Sequence, residues 1–201
     1  MQSLVVDNFF PYPNVIRSWA LTNKFYNAKE FSERIGQHTS WPGVRTDHIM
    51  DLDIDYANVV LTEVSNLATK NFMNAQVSIK SYFQVCTSSD GDSWVHQDND
   101  VDVAAVLYLT PNAPVSSGTT IYRCNDHNAW HSLDIDEMKK LNRFEDRTNY
   151  EKIFTPIDVF GNVYNRLIMY KGDEFHKSND YFGSSIQDGR LTQVFFLKFE
   201  R

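Results

Sequence analysis

The chain has 201 residues, of which 42% are hydrophobic and 22% charged, enough apolar content for a sizeable buried core. Its 26 acidic residues outnumber 19 basic ones, and the formal net charge of −7 argues against a phosphate-backbone binder, which needs a basic face. No apolar run approaches the roughly 18 residues of a membrane span. The start, Met1-Gln2-Ser3-Leu4-Val5-Val6-Asp7, lacks the basic and apolar regions of a signal peptide. A cytoplasmic protein without membrane contact is expected, with Cys86 and Cys124 as free thiols.

Leu4-Val5-Val6 is a short β-prone run, and Pro11-Tyr12-Pro13-Asn14 leads into a helix with Val15, Ile16 and Trp19 on its buried stripe. Residues 31–53 are less regular, and Ser40-Trp41-Pro42-Gly43-Val44-Arg45-Thr46 reads as a loop. From Ile54 to Met73 apolar residues recur at helical steps (Val59, Val60, Val64, Leu67, Ala68, Phe72), with Asp53 or Asp55 as the cap. After Asn74 the period changes to two. Val77, Ile79, Ser81, Phe83 and Val85 share one face of a strand, and Tyr82, Gln84 and Cys86 the other.

Further strands are expected over Val101–Thr110, Thr119–Arg123, Ile157–Tyr164, Arg166–Tyr170 and Leu191–Phe199. Between the second and third of these, the charged segment 124–156 interrupts the β pattern, with a candidate helix over Asp134–Phe144. Helices first, then many short strands, point to one domain over residues 1–201, mainly β in an α+β sense. Residues 1–75 would be helical support packed outside a β core at 76–199, and 124–156 would be an insertion and candidate lid.

The chemistry concentrates in Trp94-Val95-His96-Gln97-Asp98. In an extended segment positions i and i+2 project to one side, so His96 and Asp98 can reach one ion. Aspartate is common in this chain, and the pair alone carries little weight. His176, at a turn after the Leu167-Ile168-Met169-Tyr170 strand, is the natural third ligand. Two histidines and one carboxylate with open positions form the ligand set of non-haem Fe(II) oxygenases. Arg190 opens the last strand and shares a face with Thr192 and Val194. A guanidinium directed into an apolar interior needs an anionic partner, and it grips a carboxylate as a fork.

These residues resemble the Fe(II)- and 2-oxoglutarate-dependent dioxygenases, in particular the prolyl-hydroxylase-like branch found in phages and bacteria. The resemblance rests on His96-x-Asp98, His176 and Arg190-x-Thr192, supported by Val5-Val6-Asp7-Asn8-Phe9-Phe10-Pro11, Trp94 before the motif, Ser117-Gly118-Thr119-Thr120, and Gly172-Asp173-Glu174-Phe175-His176. It departs from the family pattern at Ser117, where Gly is usual, and at Lys171, where Pro is usual.

The resemblance implies a double-stranded β-helix (jelly roll). It implies Fe(II) on His96, Asp98 and His176, with 2-oxoglutarate and O2 as cosubstrates. Arg190 would bind the distal carboxylate of 2-oxoglutarate, helped by Thr192, and either Tyr82 or Tyr108 would add a hydrogen bond. The Asp98 carboxylate favours hydroxylation over halogenation. The expected partner is a small molecule or peptide side chain, with nucleic acid disfavoured by the charge. A non-catalytic jelly-roll module that keeps a metal site is the alternative. A cupin-like iron enzyme would need more histidines near His96.

Other stretches admit either a functional or a structural role. His127 and His131, four apart, could face one way on a helix but read better as solvated loop. Trp41 or Arg45 could touch substrate or only pack a loop. Asn99, Asp100 and Asp102 could support the motif or form a solvated turn, and Ser178 could orient His176 or make a local turn contact.

Overall fold

The computed structural model describes residues 2–36, 39–98, 100–132, 137 and 147–200. Among them ten strands form two antiparallel sheets. In chain order the strands are β1 (Ser3–Val6), β2 (Tyr26–Asn27), β3 (Val44–Arg45), β4 (Val77–Cys86), β5 (Val103–Tyr108), β6 (Thr119–Cys124), β7 (Phe154–Phe160), β8 (Leu167–Lys171), β9 (Phe175–Ser178) and β10 (Arg190–Phe199). The helices are α1 (Pro13–Ala20), α2 (Ala28–Ile35), α3 (Ile49–Leu52), α4 (Ile54–Asn71), α5 (His127–Ser132) and α6 (Arg147–Ile153).

The larger sheet runs β1-β8-β5-β10-β4-β3-β2, and the smaller runs β7-β6-β9. The two sheets face each other as the jelly-roll core of a double-stranded β-helix. Alternation along each strand sorts the side chains. On β10, Leu191, Phe195, Leu197 and Phe199 join α4 residues Ala57, Val60, Val64 and Ala68 on the outer face. Val194 and Phe196 turn inward to meet Ile121 and Phe160 of the smaller sheet. A third cluster, Val95, Tyr122, Cys124, Phe154 and Phe175, covers the far side of that sheet. Cys86 and Cys124 are buried free thiols.

The long helix forms as its sequence dictates. Asp53 caps α4, its Oδ1 accepting the Asp55 and Tyr56 amides at 3.0 and 2.9 Å. Val15 and Val59, expected on buried stripes, are exposed, because Ala20 and Val60 fix which side of each helix meets the sheet. The amino-terminal region is more than helical support: β1 pairs with β8 at one sheet edge, and β3 pairs with β4 near the other. The expected loop at residues 40–46 therefore contains a strand. Helix α2 arises where no regular element was expected, although Asn27-x-x-Glu30 is a complete capping box with both reciprocal bonds made. The expected helix over Asp134–Phe144 lies outside the described residues, apart from Glu137. No helix among the described residues is long and apolar enough to cross a membrane.

Candidate active site

His176 occupies a strand and not a turn. It lies on β9, opposite Ile121 of β6. On its other side it forms a bridge to His96: the His96 amide donates to the His176 carbonyl at 3.0 Å, and the His176 amide donates back at 2.8 Å. Four residues with a polar end are too few to show as a period-two pattern, and pairing on both sides supplies what local propensity lacks. The Asp98 amide donates to the Gly172 carbonyl at 2.9 Å. That approach needs glycine, since a Cβ at 172 would stand 2.3 Å from the Val101 carbonyl oxygen.

The ladder brings the three predicted ligands together. One ligand atom from each of His96, Asp98 and His176 lies within 4.8 Å of the others. His96 Nε2 is 3.8 Å from Asp98 Oδ1, and His176 Nε2 is 3.5 Å from Asp98 Oδ2. Each imidazole is held through its other nitrogen. His96 Nδ1 lies 2.9 Å from the Trp94 carbonyl, and His176 Nδ1 lies 2.8 Å from the Glu174 carbonyl. A carbonyl can only accept, so each Nδ1 carries a hydrogen, and this contact turns each Nε2 toward the shared space. Burial and the neighbouring His96 pull the His176 pKa down to about 4, against the opposing effect of Asp98. The ring is therefore neutral at neutral pH, the form that binds a metal. This donor set suits a divalent transition metal with positions left open.

The triad faces a cavity of about 720 Å³ between the sheets, also lined by Arg190, Arg45, Trp41 and Gln84. Arg190 is 4% exposed. Its Nε donates to the Ser117 carbonyl at 2.7 Å and its Nη2 to the Gly118 carbonyl at 3.1 Å. It has no carboxylate partner among the described residues, so a buried cation is fixed in place with donors to spare. A Cβ at Gly118 would stand 1.7 Å from the Phe160 carbonyl, so this strand entry too requires glycine. The donor set and charge of Arg190 fit the carboxylate of a 2-oxo diacid.

Of the two candidate tyrosines, Tyr108 lies with Arg190. The guanidinium is 5.4 Å from its ring centroid, and its hydroxyl donates to Thr119 Oγ1 at 2.8 Å. Burial pushes the Tyr108 pKa up, which keeps it a neutral donor. Tyr82 shares the inward face of β4 but packs against Phe31, His48 and Phe196 and lines a second cavity. Thr192 is buried two residues along β10, its hydroxyl 3.5 Å from the Gln84 carbonyl.

Ser178 meets Tyr181 at 2.6 Å and does not orient His176, whose Nδ1 is held by the main chain. Tyr181, whose ring centroid is 6.0 Å from the Arg190 guanidinium, carries no sequence signal that would single it out. Gln84 could have been found from β4 alternation. Asp102 accepts the Phe199 amide at 2.9 Å and so braces the end of β10, while Asn99 lies outside the described residues. His127 is exposed, the side chain of His131 lies outside the described residues, and so does most of the candidate lid.

Residues 1–197 match a family of unknown function (DUF6445). The chain belongs to that family. A search of curated protein sequences gives no match. Among solved structures, HygX from Streptomyces hygroscopicus with nickel, 2-oxoglutarate and hygromycin B bound is similar at 13% identity and TM-score 0.65, covering 98% of this chain and 82% of HygX. A prolyl hydroxylase from Trichoplax adhaerens, in complex with a hypoxia-inducible-factor peptide, has 13% identity and TM-score 0.56, covering 98% of this chain and 84% of its own. A Pseudomonas putida prolyl-4-hydroxylase has 12% identity and TM-score 0.56, covering 100% and 94%. At these identities the likeness establishes a shared jelly-roll fold for this DUF6445 member.

Proposed function

We propose that residues 1–201 form one Fe(II)- and 2-oxoglutarate-dependent oxygenase domain that hydroxylates a C–H bond of a peptide side chain or small metabolite. The observation that carries this reading is the pairing, in one cavity, of the His96–Asp98–His176 cluster with a buried, carboxylate-free Arg190. Bound iron with 2-oxoglutarate and O2 would supply an oxidative decarboxylation to succinate and CO2, with one oxygen atom inserted into the substrate.

The protein's own part is positional. His96 Nε2, His176 Nε2 and the Asp98 carboxylate would hold the metal from one side, leaving the cavity side for ligands. Arg190 would fork the distal carboxylate, and its two carbonyl contacts hold the guanidinium in place before the ligand arrives. Tyr108, and Thr192 further along β10, would back that end of the site. The two apolar sheet faces would keep water from the reacting atoms.

A metal-binding module without catalysis would have no use for Arg190, and this separates the two readings. The test is to incubate the protein with Fe(II), 2-oxoglutarate and O2 and to measure succinate. Succinate that needs both iron and oxygen and falls in Arg190→Ala is the expected result. Metal binding with no succinate under any condition would favour the inert module.

A further inference from the structure

Arg190 accounts for one guanidinium in the cavity and leaves a second without a role. Arg45 is carried on β3, whose residues Val44 and Arg45 pair with Val85 and Gln84 of β4. Its side chain is half-buried between two rings, the guanidinium carbon 4.5 Å from the Trp41 centroid and 5.4 Å from that of Phe196. Nε donates to Gln84 Oε1 at 3.0 Å. The terminal nitrogens have no hydrogen-bond or ion-pair partner among the described residues. Burial draws the Arg45 pKa down to about 10, with the charge of Asp98 opposing, so the group stays cationic at neutral pH.

Asp98 acts on Arg45 through space but is not within ion-pair distance of it. In the proposed reaction its carboxylate is committed to the metal, which leaves Arg45 a cation with no counter-charge. A partly desolvated cation without a paired counter-charge carries a cost that an anionic ligand relieves. The adjoining indole makes the same demand, because Trp41 Nε1 is buried with no hydrogen-bond partner. A guanidinium stacked over an indole whose N–H is unpaired offers donors only, and the two groups match an acceptor that carries charge.

The position of the pair is equally informative. Arg45, Trp41 and Phe196 line both the triad cavity and a neighbouring cavity of about 500 Å³. The second cavity is walled by the rings of Phe31 and Tyr82 as well, and its charged lining is Lys80 and Lys198 with Asp100. It therefore joins aromatic walls to a cationic junction.

We propose that Arg45 and Trp41 form a recognition subsite for a carboxylate on the prime substrate, whose apolar or aromatic arm occupies the second cavity. The inference rests on the oxygenase reading for the word substrate, but the binding it describes needs neither metal nor turnover. The substrate class that follows is a carboxylic acid with an apolar arm, free or at a peptide C-terminus.

The test is calorimetric titration of the metal-free protein with 3-phenylpropanoate and with its neutral twin, 3-phenylpropanamide. The acid should bind about tenfold tighter or better, the scale of a charged over a neutral hydrogen-bond partner. In Arg45→Met that preference should vanish, while Arg45→Lys should keep part of it. A peptide ending in phenylalanine, run alongside, assigns the source of the carboxylate by which ligand binds tighter. Excess 2-oxoglutarate should leave the phenylpropanoate titration unchanged. Competition between them would place the probe at Arg190 and overturn the proposal.

The wild-type protein provides a second readout that does not depend on a variant folding. The Trp41 indole N–H resonance, assigned through Trp41→Phe, should shift with the acid and not with the amide. An equal affinity for acid and amide, a preference that survives Arg45→Met, an unmoved indole resonance, or no binding of either probe would each contradict it. If the subsite stands while no succinate is ever formed, the oxygenase reading fails alone.

Discussion

The two cavities meet at the Trp41, Arg45 and Phe196 wall and are built from different parts of the chain. The first lies between the sheets, its ligands fixed by main-chain pairing: His96 against His176, Asp98 against Gly172, and Arg190 against two carbonyls. The second is walled where α2 and the residues around β3 cover the edge of the larger sheet, by aromatic rings together with Lys80, Lys198 and Asp100. The difference separates chemistry from choice. Groups that must hold a metal are placed by strand registers, which tolerate little displacement. Groups that would sort substrates lie where loops and short strands can change without disturbing the barrel.

The sharpest way to break this comparison is His176→Ala. Loss of a ligand should exceed the roughly 10- to 100-fold that removing a supporting partner costs, so Fe(II) affinity should fall by more than about 100-fold. Equilibrium dialysis checks it, and metal retention by the variant would mean that the ladder does not build the site.

A second prediction concerns pH. The folded-state His176 pKa lies at about 4 against an ordinary value of 6.5. Between those values the unfolded chain binds more protons than the folded one, so stability falls as pH drops. The metal-free protein should lose about 3 kcal/mol as pH falls from above 6.5 to below 4, the loss from this group levelling off once pH is below the folded-state pKa. Urea unfolding across the range reads the slope, which should shrink in His176→Gln; an unchanged slope would place the titration elsewhere.

Arg190→Ala should raise the 2-oxoglutarate concentration needed for half-maximal binding by about 10- to 100-fold, the range of a charged hydrogen-bond partner. The smallest effect sharpens the boundary between the cavities. Tyr108→Phe should weaken 2-oxoglutarate binding about fivefold, as for one neutral hydrogen bond. Tyr82→Phe should weaken it less, because Tyr82 lies toward the second cavity. A larger effect at Tyr82 would reverse that assignment.

What was legible in the sequence follows the same division. The period-two pattern of β4 and β10 gives the inward face, so Arg190, Thr192 and Val194 group on one side from sequence alone. The His-x-Asp spacing placed His96 and Asp98 on one side for the same reason. The strand carrying His176 was not legible, because β9 is held by partners remote in sequence and not by its own composition. Val44-Arg45 was hidden likewise: a two-residue strand has no period, and its inclusion in the sheet depends on β4 alongside. Helix α2 was readable through its capping box, a local signal that marks the helix start. Tyr181 meets Ser178 only three residues away, whereas its approach to Arg190 is a tertiary contact of the loop before β10 with no local signature.

The measurement that bears most directly on the central claim is an anaerobic titration of the metal-free protein with Fe(II) and then 2-oxoglutarate, followed in the visible. A weak charge-transfer band should appear only when both are present. It should be absent in His176→Ala and need far more 2-oxoglutarate in Arg190→Ala. Tight Fe(II) binding without any such band on adding 2-oxoglutarate would contradict the account and leave a metal-bearing jelly roll of another function.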